Sequence, residues 1–233
     1  MAGKRARNFL VGLLALAAFA AALSFFPAGK RGSPPAGYLP FRDDALAARY
    51  RPVFDCPEDY GPILVVYYRA AREASGLIHI AYHPVWARER NGAPGLKPFL
   101  SRALYTGGLS LQRAMFGKGD IEAVALTIDP ASGSVLEIRY ETARAYSPSD
   151  FSVSHEMVVE SHPPAGRPRF SVVSWNHLFR LEGVADETKA TAERARLEYF
   201  SGKLWRDYGM WKNPETLLRK DRAHFVWERA AVE

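Results

Sequence analysis

The chain has 233 residues, of which 48% are hydrophobic and 12% aromatic, and its formal net charge is +6. An apolar fraction of this size is enough to form a core, which excludes global disorder. The single cysteine excludes an internal disulfide and any cysteine-rich zinc site. The cationic residues are scattered along the chain rather than concentrated on one element, which argues against a nucleic-acid partner.

A basic head followed by an apolar run marks the N-terminus. Lys4, Arg5 and Arg7 precede residues 9–26, which are almost entirely apolar. A helix over this run spans roughly 27 Å, close to the thickness of a hydrocarbon core. Residues 1–29 are therefore predicted to form an uncleaved signal anchor with one transmembrane helix. A cleaved signal peptide is the alternative, and it would leave a secreted or periplasmic protein.

The charge asymmetry around the apolar run predicts the orientation of the protein. The basic head stays on the cytoplasmic side under the positive-inside rule, which puts the body outside the cytoplasm. The prediction is a single-pass cell-membrane protein whose N-terminal helix makes the membrane contact. Residues 30–42 are rich in proline and glycine and are typical of a linker.

Alternating and β-branched runs predict the first strands of the body. After a short helix capped by Asp43 and Asp44, the run over 63–72 is dense in β-branched and aromatic residues. A second run starts at Leu77, and Pro84 within it marks an edge position or a bulge. These two runs predict neighbouring strands.

The clearest pattern in the chain is a hairpin between residues 117 and 146. Val124, Leu126 and Ile128 alternate in its first run, which predicts that these side chains point to one face. Gly133 is predicted to adopt a positive φ and close the loop before the second run.

The later part of the chain predicts two more strands and then helices. The strands fall within 151–160 and 169–175. Asp186 is predicted to cap a helix running towards Phe200, and Asn213 starts another helix. The chain is therefore mainly β with helical additions. An antiparallel β-sandwich is predicted over 43–183, and a helical extension packed on it over 184–233.

Asp120 and Glu122 form the first candidate site. The strand alternation puts both carboxylates on the face of Val124, about 7 Å apart, which is close enough to hold one hard cation such as Ca²⁺ or Mg²⁺. The alternative is that both carboxylates are solvated at the exposed start of the strand.

Four histidines are further candidates. His79 and His83 share a strand face but are roughly 13 Å apart in a regular strand, too far for one metal without a bulge. His155 and His177 belong to the later strands, and His177 lies where a strand ends. Ordinary hydrogen-bonded histidines are the alternative for all four. The sequence has no Gly-x-Ser-x-Gly elbow and no P-loop, so a divalent cation is the only cofactor predicted.

Several stretches of the chain resemble the necrosis- and ethylene-inducing peptide-like proteins and their vacuolar-sorting relatives. These stretches are Ala48–Val53, the tyrosine-rich Val65–Tyr68 and Ile80–His83, Gly119–Glu122, and Trp175–His177. The resemblance covers about residues 45–179 and implies a β-sandwich there. In the toxin branch of the family a divalent cation supports binding to membrane sphingolipids.

The family's acidic motif is altered in this chain. Ile121 stands where the family has an aromatic residue, and the three residues before Asp120 are Gly-Lys-Gly where the family has histidines. The resemblance therefore implies a cation at Asp120 and Glu122 alone.

Three functions follow from these observations. The absence of a catalytic constellation favours a non-enzymatic binding module of the cell envelope, with a lipid, glycan or protein partner. The first alternative is a metal-dependent hydrolase that combines the acidic pair with a histidine. The second is a structural subunit of a membrane complex that docks through its helical tail.

Overall fold

A computed structural model describes residues 37–87, 91–103, 121–149, 153–185 and 195–208. In this part of the chain the protein is mainly β, with antiparallel sheets and few helices. The strands are β1 (Leu39–Phe41), β2 (Val53–Asp55), β3 (Ile63–Arg72), β4 (Ile78–Trp86), β5 (Val124–Asp129), β6 (Ser134–Arg144), β7 (Ser154–Glu160), β8 (Pro168–Val172), β9 (Phe179–Val184) and β10 (Arg196–Tyr199). The helices are α1 (Asp44–Tyr50), α2 (helical over residues 96–103) and α3 (Gly202–Asp207), and Glu58–Tyr60 form a 3₁₀ turn.

Two sheets form the body of the protein. The larger has seven strands in the order β1-β3-β4-β5-β6-β7, with β10 also paired to β3. Strand β10 pairs in parallel with residues 65–68 of β3, and β1 pairs antiparallel with residues 70–72 of β3. These two short strands therefore lie end to end along one edge of β3. The smaller sheet has the order β2-β8-β9, and its β2–β8 pair is parallel.

The two sheets share one hydrophobic core. Phe170 and Phe179 of the smaller sheet lie in the same buried cluster as Tyr82, Leu126 and Ile138 of the larger one. Tilted and edge-on ring contacts join the two layers, with 5.1 Å between the ring centroids of Tyr140 and Phe170. This arrangement is consistent with the β-sandwich-like fold predicted from the alternating runs.

The first helix and the first strand pair follow the predictions. Asp43 caps α1 by accepting a hydrogen bond from the Leu46 backbone N–H at 2.8 Å. Strand β3 covers the predicted residues 63–72. Strand β5 pairs with β4 only up to Tyr82, so Pro84 lies where β4 needs no ladder hydrogen bond on that side. An edge position of Pro84 therefore holds only on the β5 side of β4, since Pro84 pairs with Val66 of β3 on the other side.

The central hairpin is confirmed as strands β5 and β6. Val124, Leu126 and Ile128 are each at most 1% exposed. Gly133 has a φ of +70° and its N–H donates to the Asp129 carbonyl at 2.8 Å. A positive φ and a tight hydrogen-bonded loop are what the hairpin pattern required.

The chain beyond residue 194 differs from the helix predicted between Asp186 and Phe200. Residues 196–199 form β10, and the Phe200 N–H continues the pairing by donating to the Tyr68 carbonyl at 2.8 Å. The edge of β3 offers unpaired backbone groups, and satisfying them outweighs the local helical preference of Arg-Leu-Glu. Helix α3 then begins at Gly202.

Other predictions fall outside the described residues. They concern the N-terminal apolar run, the helix start at Asn213 and the first carboxylate of the acidic pair, Asp120. Across the part of the chain that the structure describes, no helix is long and apolar enough to cross a membrane.

Candidate metal centre

The register of β6 and β7 brings a carboxylate and an imidazole together. Glu141 on β6 is opposite Met157 on β7, and His155 precedes Met157 by two residues. Residues two apart on a strand share a face, so Glu141 and His155 are diagonal neighbours. His155 Nδ1 lies 2.8 Å from Glu141 Oε2.

Glu122 completes a cluster with this pair. One ligand atom from each of Glu122, Glu141 and His155 lies within 4.8 Å of the other two. Glu122 is 4% exposed and Glu141 is 7% exposed, so both carboxylates are buried. In zinc sites with bonds of about 2.0–2.2 Å, neighbouring ligand atoms are about 3.4 Å apart. Small side-chain movements would therefore bring the ligand atoms of Glu122, Glu141 and His155 to the spacing of a zinc site.

Glu122 lies just before strand β5, which begins at Val124. It meets Glu141 and His155, two neighbours that the sequence analysis did not assign to it.

A polar turn of the smaller sheet holds the other side of His155. Between β8 and β9 the chain makes a six-residue connection, closed by the Val173 N–H donating to the Leu178 carbonyl at 2.9 Å. Asn176 in this turn places its Nδ2 3.0 Å from His155 Nε2. Ser174 donates to Asn176 Oδ1 at 2.7 Å, which fixes the amide in place.

The charges of the three clustered groups favour a cation. Glu122 and Glu141 carry two negative charges when ionised, and the His155 imidazole can supply at most one positive charge. The three groups together then keep at least one negative charge. Buried like charges repel strongly in a medium of low dielectric, and a bound cation removes that repulsion.

The three groups suit a set of metal ligands better than a general base. His155 is oriented by a carboxylate, as a catalytic base would be, but its second nitrogen is engaged by Asn176. A base needs that nitrogen to reach a substrate or a water. Two carboxylates and one imidazole are ligands that transition metals accept.

The predicted pair His79 and His83 does not converge on one site. His79 lies 3.2 Å from Glu73 Oε2 through Nε2, and 3.2 Å from Thr127 Oγ1 through Nδ1. His83 packs among rings instead, with centroid distances of 5.3 Å to Phe200 and 5.8 Å to Trp205. Each has its own neighbours, as the strand spacing predicted.

His177 has a structural role in the same polar turn that carries Asn176. It has a φ of +66°, which is rare for a residue other than glycine. Its ring stacks on Trp86 at 4.1 Å between centroids, and its Nε2–H donates to the Tyr60 carbonyl at 3.1 Å. These contacts hold the turn against β4 and thereby position Asn176.

Sequence reasoning found part of this centre and missed the rest. Glu122 and His155 were predicted as candidates in separate groups, whereas Glu141 was assigned only to a strand. The useful signal was the pairing of two neighbouring strands, since a hairpin register would have placed Glu141 near His155. In the described residues, one group of three or more His, Cys, Asp or Glu side chains is close enough to hold a metal ion, and His155 is its one histidine.

Comparison with protein-family models gives no match, and comparisons with curated proteins and with solved structures give no significant match.

Proposed function

We propose that this chain is a cation-dependent binding module of the cell envelope, held outside the cytoplasm by its N-terminal apolar segment. The observation that carries the proposal is the cluster of Glu122, Glu141 and His155, in which both carboxylates are buried and the three ligand atoms lie within 4.8 Å of one another. The residues expected to bind the cation are these three. The acidic pair alone suggested Ca²⁺ or Mg²⁺, and the imidazole shifts the expectation towards Zn²⁺ or Mn²⁺.

Such a centre binds a partner through the coordination positions that the protein leaves open. Three protein ligands leave one position in a tetrahedral ion and three in an octahedral ion. An oxygen of a lipid head group, a glycan or a protein carboxylate fits those positions. The module needs no catalytic step, because the cation bridges the domain and its ligand.

The test is thermal melting of the chelator-treated full chain in detergent micelles with added Zn²⁺, Mn²⁺, Ca²⁺ or Mg²⁺. An ion that binds only the folded state at ten times its dissociation constant adds about 1.4 kcal/mol to the free energy of unfolding. We expect Zn²⁺ and Mn²⁺ to raise the melting temperature, with a smaller effect of Ca²⁺ and Mg²⁺.

Glu141→Gln removes one ligand charge and should abolish the ion-dependent rise. The matched control is Glu137→Gln, because Glu137 lies on the same strand but pairs with Arg139. A wild-type melting temperature that none of the four ions changes would remove the proposal. Zinc-dependent hydrolysis of nitrophenyl esters or phosphates that Glu141→Gln abolishes would move the function to a hydrolase.

The location outside the cytoplasm has its own test. A phosphatase that is active only outside the cytoplasm, fused to the C-terminus, should be active because the basic head keeps the N-terminus inside. An inactive phosphatase together with an active cytoplasmic reporter at the same position would reverse the orientation.

A further inference from the structure

A directed chain of hydrogen bonds leads to the candidate metal centre. The Leu178 backbone N–H donates to Ser174 Oγ at 3.1 Å, and Ser174 donates in turn to Asn176 Oδ1 at 2.7 Å. The Asn176 Nδ2–H then donates to His155 Nε2 at 3.0 Å. His155 Nε2 accepts this hydrogen bond, so the proton of the neutral ring is on Nδ1, where it donates to Glu141 at 2.8 Å.

The chain runs in one direction as long as the Asn176 amide keeps this orientation. A backbone N–H can only donate and an ionised carboxylate can only accept. Each group between them passes the direction on. Ser174 is fully buried and Asn176 is 6% exposed, so bulk water cannot easily replace a lost partner.

This direction puts a proton on the nitrogen that a cation needs. Nδ1 is the ring atom next to Glu141, and a metal ligand must offer a lone pair. Cation binding therefore requires the other tautomer of His155, with its proton on Nε2. That proton needs an acceptor, which Asn176 provides only when its amide turns and presents Oδ1.

We propose that Asn176 is a positioning residue of the cation site, whose amide orientation selects the tautomer of His155 and so decides whether the imidazole can bind the ion. This inference rests on the proposed function. In the loaded state the turned Nδ2–H donates to Ser174 Oγ, which has a second lone pair beside the one that accepts from Leu178. The exchange is proton-neutral, because one proton leaves Nδ1 and one arrives on Nε2 with water as the carrier.

Asn176→Asp is the decisive variant. A carboxylate accepts at both oxygens, so it can bond the Ser174 hydroxyl and the Nε2–H of His155 without turning. We expect Nε2 of His155 to carry a proton already in the metal-free variant, because the new carboxylate can only accept from it. Zn²⁺ should then bind about tenfold more tightly than to the wild type, the scale of effect that partners of metal ligands have.

The added charge needs a matched control, since a carboxylate attracts a cation over a distance. Ser154→Asp adds the same charge on β7 beside His155, from an exposed position whose side chain points to the opposite face. It should leave the tautomer unchanged and raise zinc affinity less than Asn176→Asp does. An equal increase for the two variants would overturn the inference.

The tautomer is measured by two-bond ¹H–¹⁵N correlation spectra of the histidine-labelled full chain in detergent micelles, with His155→Gln to assign the signals. The wild type should show Nδ1–H without metal and Nε2–H with Zn²⁺, a comparison that needs no variant at Asn176. A metal-free Asn176→Asp variant whose Nε2 carries no proton, as in the wild type, would overturn the inference. Failure of Zn²⁺ to bind the wild type would remove the proposed function, and the two metal-free spectra would still decide the role of Asn176.

Discussion

Gly133 shows how a local backbone requirement and a distant contact meet at one residue. Its φ of +70° lies in the left-handed region, which residues other than glycine and asparagine rarely adopt. Its carbonyl accepts a hydrogen bond from the Tyr50 hydroxyl at 2.9 Å. A Cβ at this position would lie 3.3 Å from the Arg49 guanidinium and 3.4 Å from that hydroxyl. The β5–β6 loop is thereby tied to helix α1.

Gly133→Ala is expected to lower the free energy of unfolding by about 1–2 kcal/mol, because an alanine in the left-handed region is strained by that amount. Urea unfolding monitored by circular dichroism measures the change. Gly133→Asn is the control, and it should be less destabilising because asparagine tolerates this conformation. Equal stability of wild type and Gly133→Ala would mean that the loop does not use a positive φ.

At the scale of the element, the β5–β6 hairpin contains a bulge that the alternating pattern did not reveal. Thr127 pairs with Glu137 and Ile128 pairs with Val135, so Leu136 is the extra residue. The bulge reverses the faces of the residues before it. Val135 packs against the core, while Leu136 is 41% exposed.

Leu126→Ala should reduce the free energy of unfolding by about 2–5 kcal/mol, since it deletes a fully buried side chain and leaves a cavity. Leu136→Ala makes the same change at the exposed bulge and should stay within about 0.5 kcal/mol of the wild type. Chemical unfolding of both variants compares them directly. A loss below about 1 kcal/mol for Leu126→Ala would place that face of β5 outside the core.

At the scale of the whole molecule, tyrosines line both faces of the larger sheet. Tyr68 and Tyr82 lie in the shared core, and burial raises the pKa of each phenol. On the other face, Tyr67 stacks on Phe200 with 4.7 Å between ring centroids. Burial raises the pKa of Tyr67 to about 12. In the shared core, Tyr199 packs on Tyr68, and burial raises its pKa as well.

These shifts predict an alkaline limit to stability. A phenol whose pKa is raised on folding keeps its proton while the unfolded chain loses it, so its contribution is complete below pH 10. The contribution falls between pH 10 and about pH 12, where the folded Tyr67 ionises. Urea unfolding from pH 8 to 11.5 should therefore show a decreasing free energy of unfolding above pH 10.

Tyr67→Phe should make that decrease less steep, because one titrating phenol is lost. Phenolate absorbance provides an independent measurement of the same groups. An absorbance rise near pH 10 that accounts for every tyrosine in the still-folded protein would contradict the predicted protection.

The sequence by itself determined the features that depend on neighbouring residues. Strand β3, the capped helix α1 and the β5–β6 hairpin follow from alternation, capping chemistry and one glycine, all of which act over a few residues. Burial of Leu126 follows in the same way, because alternation decides which face of a strand is apolar. Of the candidate site, this local reasoning identified Glu122 and His155 as separate candidates.

The tertiary structure decided what depends on distant pairing. Residues 196–199 became a strand because the edge of β3, more than 100 residues earlier in the chain, supplied hydrogen-bond partners. Glu141 met His155 through the register of β6 and β7, and Glu122 joined them from the residues just before β5. Asn176 reached His155 because the smaller sheet packs on the larger. Long-range contacts of this kind leave no periodic signal in the sequence, since their spacing is set by the packing of the two sheets.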